Sequence, residues 1–276
     1  MTLLVQISDT HFGTESAAVV EALVRMVQAQ SPSLVVLSGD ITQRARPAQF
    51  RAARAFVDRL QAPATLVIPG NHDIALFNVA ARLFTPYKHH RRAFGHDLEP
   101  SFESDALLVL SVNTTRPYLH ERGVVSARQV DRVAQRLHGA TAAQLRVVVT
   151  HQPVHVTRHE DRDELLRGHE HAVRRWSAAG ADLILGGHSH LPCVRPLHDH
   201  HDGLARRVWA VQAGTAVSSR VRHDAVNSVN VVRQLAPAGA RRRCVVERWD
   251  YSAQGEAFAP VDRVEVELDA HAGTSR

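Results

Sequence analysis

Val5-Gln6-Ile7-Ser8-Asp9-Thr10-His11 decides how this chain is read: a short apolar run fit for a β-strand, interrupted by an Asp-x-His turn. The same pattern returns four times. Leu34-Val35-Val36-Leu37 leads to Gly39-Asp40, and Thr65-Leu66-Val67-Ile68 leads to Gly70-Asn71-His72-Asp73. Val147-Val148-Val149 leads to Thr150-His151, and Leu183-Ile184-Leu185 leads to Gly187-His188-Ser189-His190. A continuous apolar run reads as a strand buried on both faces, and the polar residues that follow it lie in a loop beyond its end. Asp, His and Asn gathered at one rim of a sheet form a metal site rather than a core. A single Gly-Asp or Asp-x-His is usually only a turn; five such fragments in one order, each behind a strand, are not.

Outward from these loops, strands and helices alternate. Ser16 to Gln30 carries apolar residues at helical spacing and stops at Ser31-Pro32, and Pro47 to Leu60 repeats the pattern with Pro47 in its first turn. This alternation predicts βαβ units. Residues 75 to 103 are less regular, and Tyr87 to Phe94 is a candidate lid. Leu107 to Val112 reads as a strand, Ser126 to Leu137 as a helix and 163 to 179 as another helix. Beyond His190, four strand-like stretches (208–211, 228–235, 243–251 and 261–268) predict a mixed second sheet packed on the first. Residues 1–270 are expected to form one domain, with 236–240 a loop and 271–276 a disordered tail.

A chain of 276 residues can bury a sizeable core, and 44% hydrophobic with 22% charged residues is ordinary for a globular protein. No apolar run approaches the roughly 20 residues of a membrane span. The first strand begins at Thr2-Leu3, leaving no room for a secretory leader, so a cytoplasmic protein is expected. Cys193 and Cys244 fall in apolar stretches and read as inert buried thiols. A net charge of +5, carried by arginine with Lys88 as the only lysine, suits a partner bearing phosphate.

The loop residues fit a two-metal centre. Two ions about 3.5–4 Å apart need a shared ligand, and a carboxylate with two oxygens suits that place. Asp40, on a tight turn after a buried strand, is the natural bridge. Asp9 and His11, two residues apart, converge on one ion, and His188 and His190 share that spacing. Gly186-Gly187 lets the backbone come close, while Asn71 and His151 complete the second ion's set. Mixed imidazole, carboxylate and amide donors favour Mn²⁺, Fe²⁺/Fe³⁺ or Zn²⁺ over Ca²⁺.

In this order the fragments resemble the calcineurin-like metallophosphoesterase superfamily, over residues 7 to 190 and with no ligand missing. The resemblance implies an α/β fold, a four-layer αββα sandwich of two mixed β-sheets flanked by helices, with the metals at one rim. It places Asp9, His11, Asp40 and His190 on one ion, and Asp40, Asn71, His151 and His188 on the other. His72 would face the substrate, stabilising phosphoryl oxygens and protonating the leaving alkoxide, with Asp73 orienting it. The implied reaction is in-line attack by a metal-bridging hydroxide.

Ile7-Ser8-Asp9-Thr10-His11-Phe12 and Ser38-Gly39-Asp40-Ile41-Thr42 look most like the bacterial class III cyclic nucleotide phosphodiesterases, which implies a small diester such as a 3′,5′-cyclic nucleotide. Gln43-Arg44-Ala45-Arg46 departs from that subgroup and marks a branch with another substrate. Asn113, Arg116 and His155 are candidate substrate contacts, and His198 to Asp202 reads as a polar loop. A lipid or sugar-nucleotide phosphohydrolase is the alternative enzyme, although the relatives of that kind carry Arg where His72 stands. A non-catalytic scaffold of the same fold is a further alternative. No stable nucleic-acid partner is expected; the sequence leaves the oligomeric state open, a homodimer being one option because dimers occur among similar phosphodiesterases.

Overall fold

Apolar strands buried on both faces must be covered on both sides, and the computed structural model shows how. It describes residues 2–76, 78–201, 203–222, 225–236 and 242–270; the expected tail at 271–276 and most of the 236–240 loop lie outside these. The first half of the chain runs β1 (Leu3–Ile7), α1 (Ala17–Gln30), β2 (Leu34–Ser38), α2 (Pro47–Leu60), β3 (Thr65–Ile68), α3 (Val79–Phe84), α4 (Lys88–Phe94), β4 (Ser101–Glu103), β5 (Leu107–Ser111) and α5 (Ala127–His138). Then follow β6 (Leu145–Val149), α6 (His169–Ala179), β7 (Leu183–Gly186), β8 (Cys193–Pro196), β9 (Trp209–Gln212), β10 (Ser228–Gln234), β11 (Arg242–Ser252) and β12 (Ala257–Leu268).

These strands make two six-stranded mixed sheets, ordered β12-β11-β10-β1-β2-β3 and β4-β5-β6-β7-β9-β8. Alternation along each strand sorts its side chains into layers. Val5, Ile7, Val35 and Leu37 face outward onto Val20, Leu23, Val27 and Phe56 of α1 and α2. Leu108, Leu110 and Val148 face the opposite way, onto Val130, Val173 and Trp176 of α5 and α6. The residues between them in sequence, Leu4, Leu34 and Val36 from one sheet and Leu107, Val109 and Val147 from the other, meet in a third cluster between the sheets. The result is the α/β, four-layer αββα sandwich.

Three expectations need correction. The strands beyond His190 do not build a second sheet of their own: β10 pairs antiparallel with β1 and extends the first sheet, while β8 and β9 join the second beside β7. The second sheet is therefore founded mid-chain on β5, β6 and β7. The helix expected over 163–179 begins only at His169. Arg222 holds Asp161 and Glu164 in a separate turn, and Gly168 at φ +88° breaks the path between them. Tyr87 to Phe94 is not a loose flap: Lys88–Phe94 is helical, with His90 and Phe94 against Phe50 of α2.

Candidate metal centre

β1, β2 and β3 run parallel side by side in one sheet, as do β6 and β7 in the other. All five polar loops therefore leave carboxyl ends of parallel strands, the rim where open α/β sheets bind ligands. The turns are tight. Among the described residues nine that are not glycine have positive φ, and five of those are Asp9, His11, Asp40, His188 and His190. Such backbone is costly for ordinary residues and persists where the surroundings hold it. Two glycines make room. Gly39 sits at φ +101° with the His151 ring where its Cβ would be, and a Cβ on Gly187 would lie 2.1 Å from Ser8 Oγ and 2.6 Å from Asp9 Oδ2.

A buried set of amides fixes the two rims together. The Gln6 amide nitrogen donates across the sheet interface to the Gly186 carbonyl at 2.8 Å, and within its own sheet to Ser38 Oγ at 3.2 Å. Asn230 donates to Gln6 Oε1 at 3.0 Å and to the Gln212 carbonyl at 3.1 Å, and Gln212 in turn donates to the Gly187 carbonyl. Each amide is fully or almost fully buried, so each bond holds a group that would otherwise be costly to desolvate. The signal in sequence was a lone amide inside an otherwise apolar strand.

The seven residues singled out as ligands converge. Their donor atoms form groups Asp9–His11–His190 and Asp40–His151–His188, and His11, Asp40 and His72 form a third, so Asp40 belongs to two of the three. Asn71 Oδ1 lies 3.2 Å from His151 Nε2. The protonation pattern shows what this set lacks. His190 Nδ1 donates to the Arg220 carbonyl at 2.8 Å and His151 Nδ1 to the Ser38 carbonyl at 2.9 Å, which leaves each Nε2 a bare acceptor when the ring is neutral. Those acceptors nevertheless face other acceptors. His190 Nε2 is 3.2 Å from His11 Nε2 and 3.3 Å from Asp9 Oδ1, and His151 Nε2 is 3.3 Å from Asp40 Oδ1. With the rings neutral, lone pairs face lone pairs at buried or nearly buried positions, so protons or cations must lie between them, and the donor set fits two divalent ions.

The electrostatics agree. Burial works against a charged His151, yet Asp40, Asp9 and the Ser38 carbonyl raise it to about 9, and His190 is raised beside Asp9 despite its own burial. Burial opposes ionisation of Asp9 and Asp40 too, but the surrounding imidazoles hold both carboxyls low. Burial depresses His11 to about 3 and His188 to about 4, keeping both neutral and able to bind a metal.

His72 stands at the mouth, its ring held by the Gln43 carbonyl 3.0 Å from Nδ1 and its backbone N–H donated to Asp40 at 2.8 Å. Asp73 does not orient that ring. Its two oxygens accept from the backbone N–H groups of Ile41, Thr42 and Gly70 and from Thr42 Oγ1, at 2.8 to 3.0 Å, so it braces the Asp40 and Asn71 turns instead. Burial and the neighbouring Asp40 push its carboxyl up to about 6 against those four bonds.

Sequence reading missed Arg220. Its guanidinium lies 3.3 Å from His72 Nε2 and 3.1 Å from Gln43 Oε1, while its backbone carbonyl anchors His190. Both arginines of the Gln43-Arg44-Ala45-Arg46 segment line the same cleft, a cavity of about 700 Å³ that also meets Asn71, His72 and Arg220. Asn113, Arg116 and His155 do not line it. Asn113 Oδ1 accepts from Thr115, Arg116 donates to the Asn113 and Thr115 carbonyls and to Gln129, and His155 stacks on His200 with ring centres 4.6 Å apart. Cys244 is buried and Cys193 half-buried, and burial raises both thiols, Cys193 to about 11.

A calcineurin-like phosphoesterase family model matches residues 2–192. A probable cyclic nucleotide phosphodiesterase of Synechococcus sp. is 28% identical over 211 residues, covering 69% of this chain and 74% of that protein. The glycerophosphodiester phosphodiesterase GpdQ of Enterobacter lignolyticus is 38% identical over 84 residues, 26% of this chain and 29% of that one. Among solved structures, a dimetal phosphatase from Danio rerio superposes with a TM-score of 0.66 at 13% identity, covering 97% of this chain and 99% of its own. The purple acid phosphatase PPD1 of yellow lupin seeds gives 0.70 at 12% identity, covering 97% and 54%. At these identities both structures establish a shared fold.

Proposed function

The chain belongs to the calcineurin-like phosphoesterase family and is a metal-dependent phosphoesterase; from that premise we propose that it hydrolyses phosphodiesters, a 3′,5′-cyclic nucleotide being the leading candidate. The observation that carries this reading is the set of buried acceptors sharing Asp40, open through His72 to a cleft walled by Arg44, Arg46, Arg82, Lys88 and Arg220. Asp9, His11, Asp40 and His190 would hold one ion, and Asp40, Asn71, His151 and His188 the other, within a unit spanning residues 1–270. Mn²⁺, Fe²⁺/Fe³⁺ and Zn²⁺ all suit these donors. Bound there, the ions supply charge neutralisation for the phosphoryl oxygens and a water of lowered pKa.

The chain's own residues bind and orient the diester. Arg220 presents its N–H groups beside His72 and can turn them to a non-bridging phosphoryl oxygen. With Nδ1 donating to Gln43, His72 directs Nε2 into the cleft. In the present arrangement that nitrogen accepts from Arg220 and so carries no proton; it can protonate a leaving alkoxide only after Arg220 has moved onto the substrate and Nε2 has taken up a proton from solvent. His72→Ala should retain bound metal and lose most turnover on poor leaving groups; loss of metal from this variant, measured by elemental analysis, would refute the assignment.

Hydrolysis of 3′,5′-cAMP, bis-p-nitrophenyl phosphate, p-nitrophenyl phosphate and glycerophosphocholine with Mn²⁺ tests the whole reading. Fast opening of cAMP supports the cyclic nucleotide. Glycerophosphocholine turnover without cAMP turnover moves the substrate to glycerophosphodiesters, as the partial match to GpdQ allows. Cleavage of the monoester alone refutes diesterase activity.

A further inference from the structure

A cluster of apolar side chains stands in solvent at the lip of the cleft. None of the described residues of α3 is buried, and Val79, Leu83 and Phe84 are 64%, 61% and 82% exposed, with Leu76 just before them at 42%. Tyr118 is likewise exposed at 74%. Isolated exposed apolar residues are normal; four within nine residues, on one short helix and its approach, mark a surface that meets something else. Leu76, Ala81 and Arg82 also line the cleft beside His72, so this surface flanks the site.

Charge identifies the occupant. The groove beside Phe84 is lined by Lys88, Arg91, Arg92 and His96 and by no carboxylate among the described residues, while Arg44 and Arg46 line the cleft next to it. Among the described residues, the one exposed carboxylate lining the cleft is Glu121. An isologous pairing of two copies would bring these cationic margins face to face. An anionic bilayer accepts both parts at once, the apolar side chains in its interface and the cations among its headgroups.

We propose that α3 and its cationic margin form a membrane-docking surface that seats the mouth of the cleft on an anionic bilayer. This goes beyond the phosphodiesterase reading and does not depend on it, because vesicle binding needs no substrate.

The test is co-sedimentation of the full, Mn²⁺-loaded chain with phosphatidylglycerol-containing vesicles and with pure phosphatidylcholine vesicles. Binding should occur to the anionic vesicles alone. Leu83→Ser with Phe84→Ser should weaken it about tenfold or more, as should Arg91→Glu with Arg92→Glu. Both pairs should leave bis-p-nitrophenyl phosphate hydrolysis unchanged, which separates failure of docking from failure of the enzyme assignment. Three results would overturn the proposal. The chain could remain in the supernatant at low salt, or the serine pair could bind as well as the parent, leaving only diffuse attraction of a basic protein. The serine pair could instead convert a dimer to a monomer by light scattering, which would assign the surface to a second copy.

Discussion

Arg220 joins both halves of the candidate chemistry through different atoms. Its carbonyl fixes the His190 ring, and its guanidinium faces His72. Side-chain truncation leaves the carbonyl in place, so Arg220→Ala should keep metal content while kcat/KM for a diester falls about 10- to 100-fold, the loss of one or two charge-assisted hydrogen bonds. Arg220→Lys should recover part of it; an unchanged kcat/KM in the alanine variant would remove Arg220 from the reaction. A second prediction concerns protons. Asp40 and Asp9 raise His151 to about 9 without a cation, so at pH 7 that ring is protonated and a metal must displace the proton. Titration calorimetry of the metal-free chain with Mn²⁺, in buffers of differing ionisation enthalpy, should show release of about one proton or more per chain. Metal affinity should accordingly fall as pH drops, and proton-neutral binding at pH 7 would contradict this account of His151.

At the scale of elements, the approach of the β7 turn to the β1 turn sets the geometry of the centre. A methyl on Gly187 would meet both Ser8 and Asp9, whose carboxylate also accepts the His188 N–H at 3.0 Å. Gly187→Ala should therefore force the two turns apart and lose metal, with a melting temperature that no longer rises with added Mn²⁺. Normal metal content would show that the turns can yield. The strands and their loops were legible because an apolar run ending in Gly, Asp or His changes chemistry within one or two residues, as at Leu37 to Asp40. The amides Gln6, Gln212 and Asn230 were not read, since one polar residue in a strand says nothing of its partner across a sheet interface. Nor was Arg220 distinguishable from the many other arginines, because its neighbours Gln43 and His72 lie far away in sequence. The terminal strands showed the same limit: their pattern gave strands, but which sheet edge received them depended on β1 having a free side.

At the scale of the molecule, the two sheets are tied at both ends by different means. At the metal rim the tie is the amide layer, and at the opposite rim it is charge. Asp182, just before β7, receives both terminal nitrogens of Arg242, the first residue of β11, at 3.0 and 2.8 Å, and also accepts the Arg146 backbone N–H at 2.9 Å. The Asp182 side chain is 1% exposed and that of Arg242 11%, so this pair lies in the interior between sheets. Removing one member would leave a buried guanidinium without its counter-charge, a loss of about 3–5 kcal/mol where such pairs are broken. Asp182→Ala should shift the urea unfolding midpoint down by that amount divided by the m-value. Because the strands run from this rim to the metal loops, kcat without denaturant should stay near the parent value. A large fall in kcat with little change in midpoint would mean that Asp182 supports the distant site rather than the packing of the sheets. The opposite outcome, lost stability with kept turnover, would place the rigidity of the centre in the Gln6, Gln212 and Asn230 layer, which holds the catalytic rim without help from the far clasp.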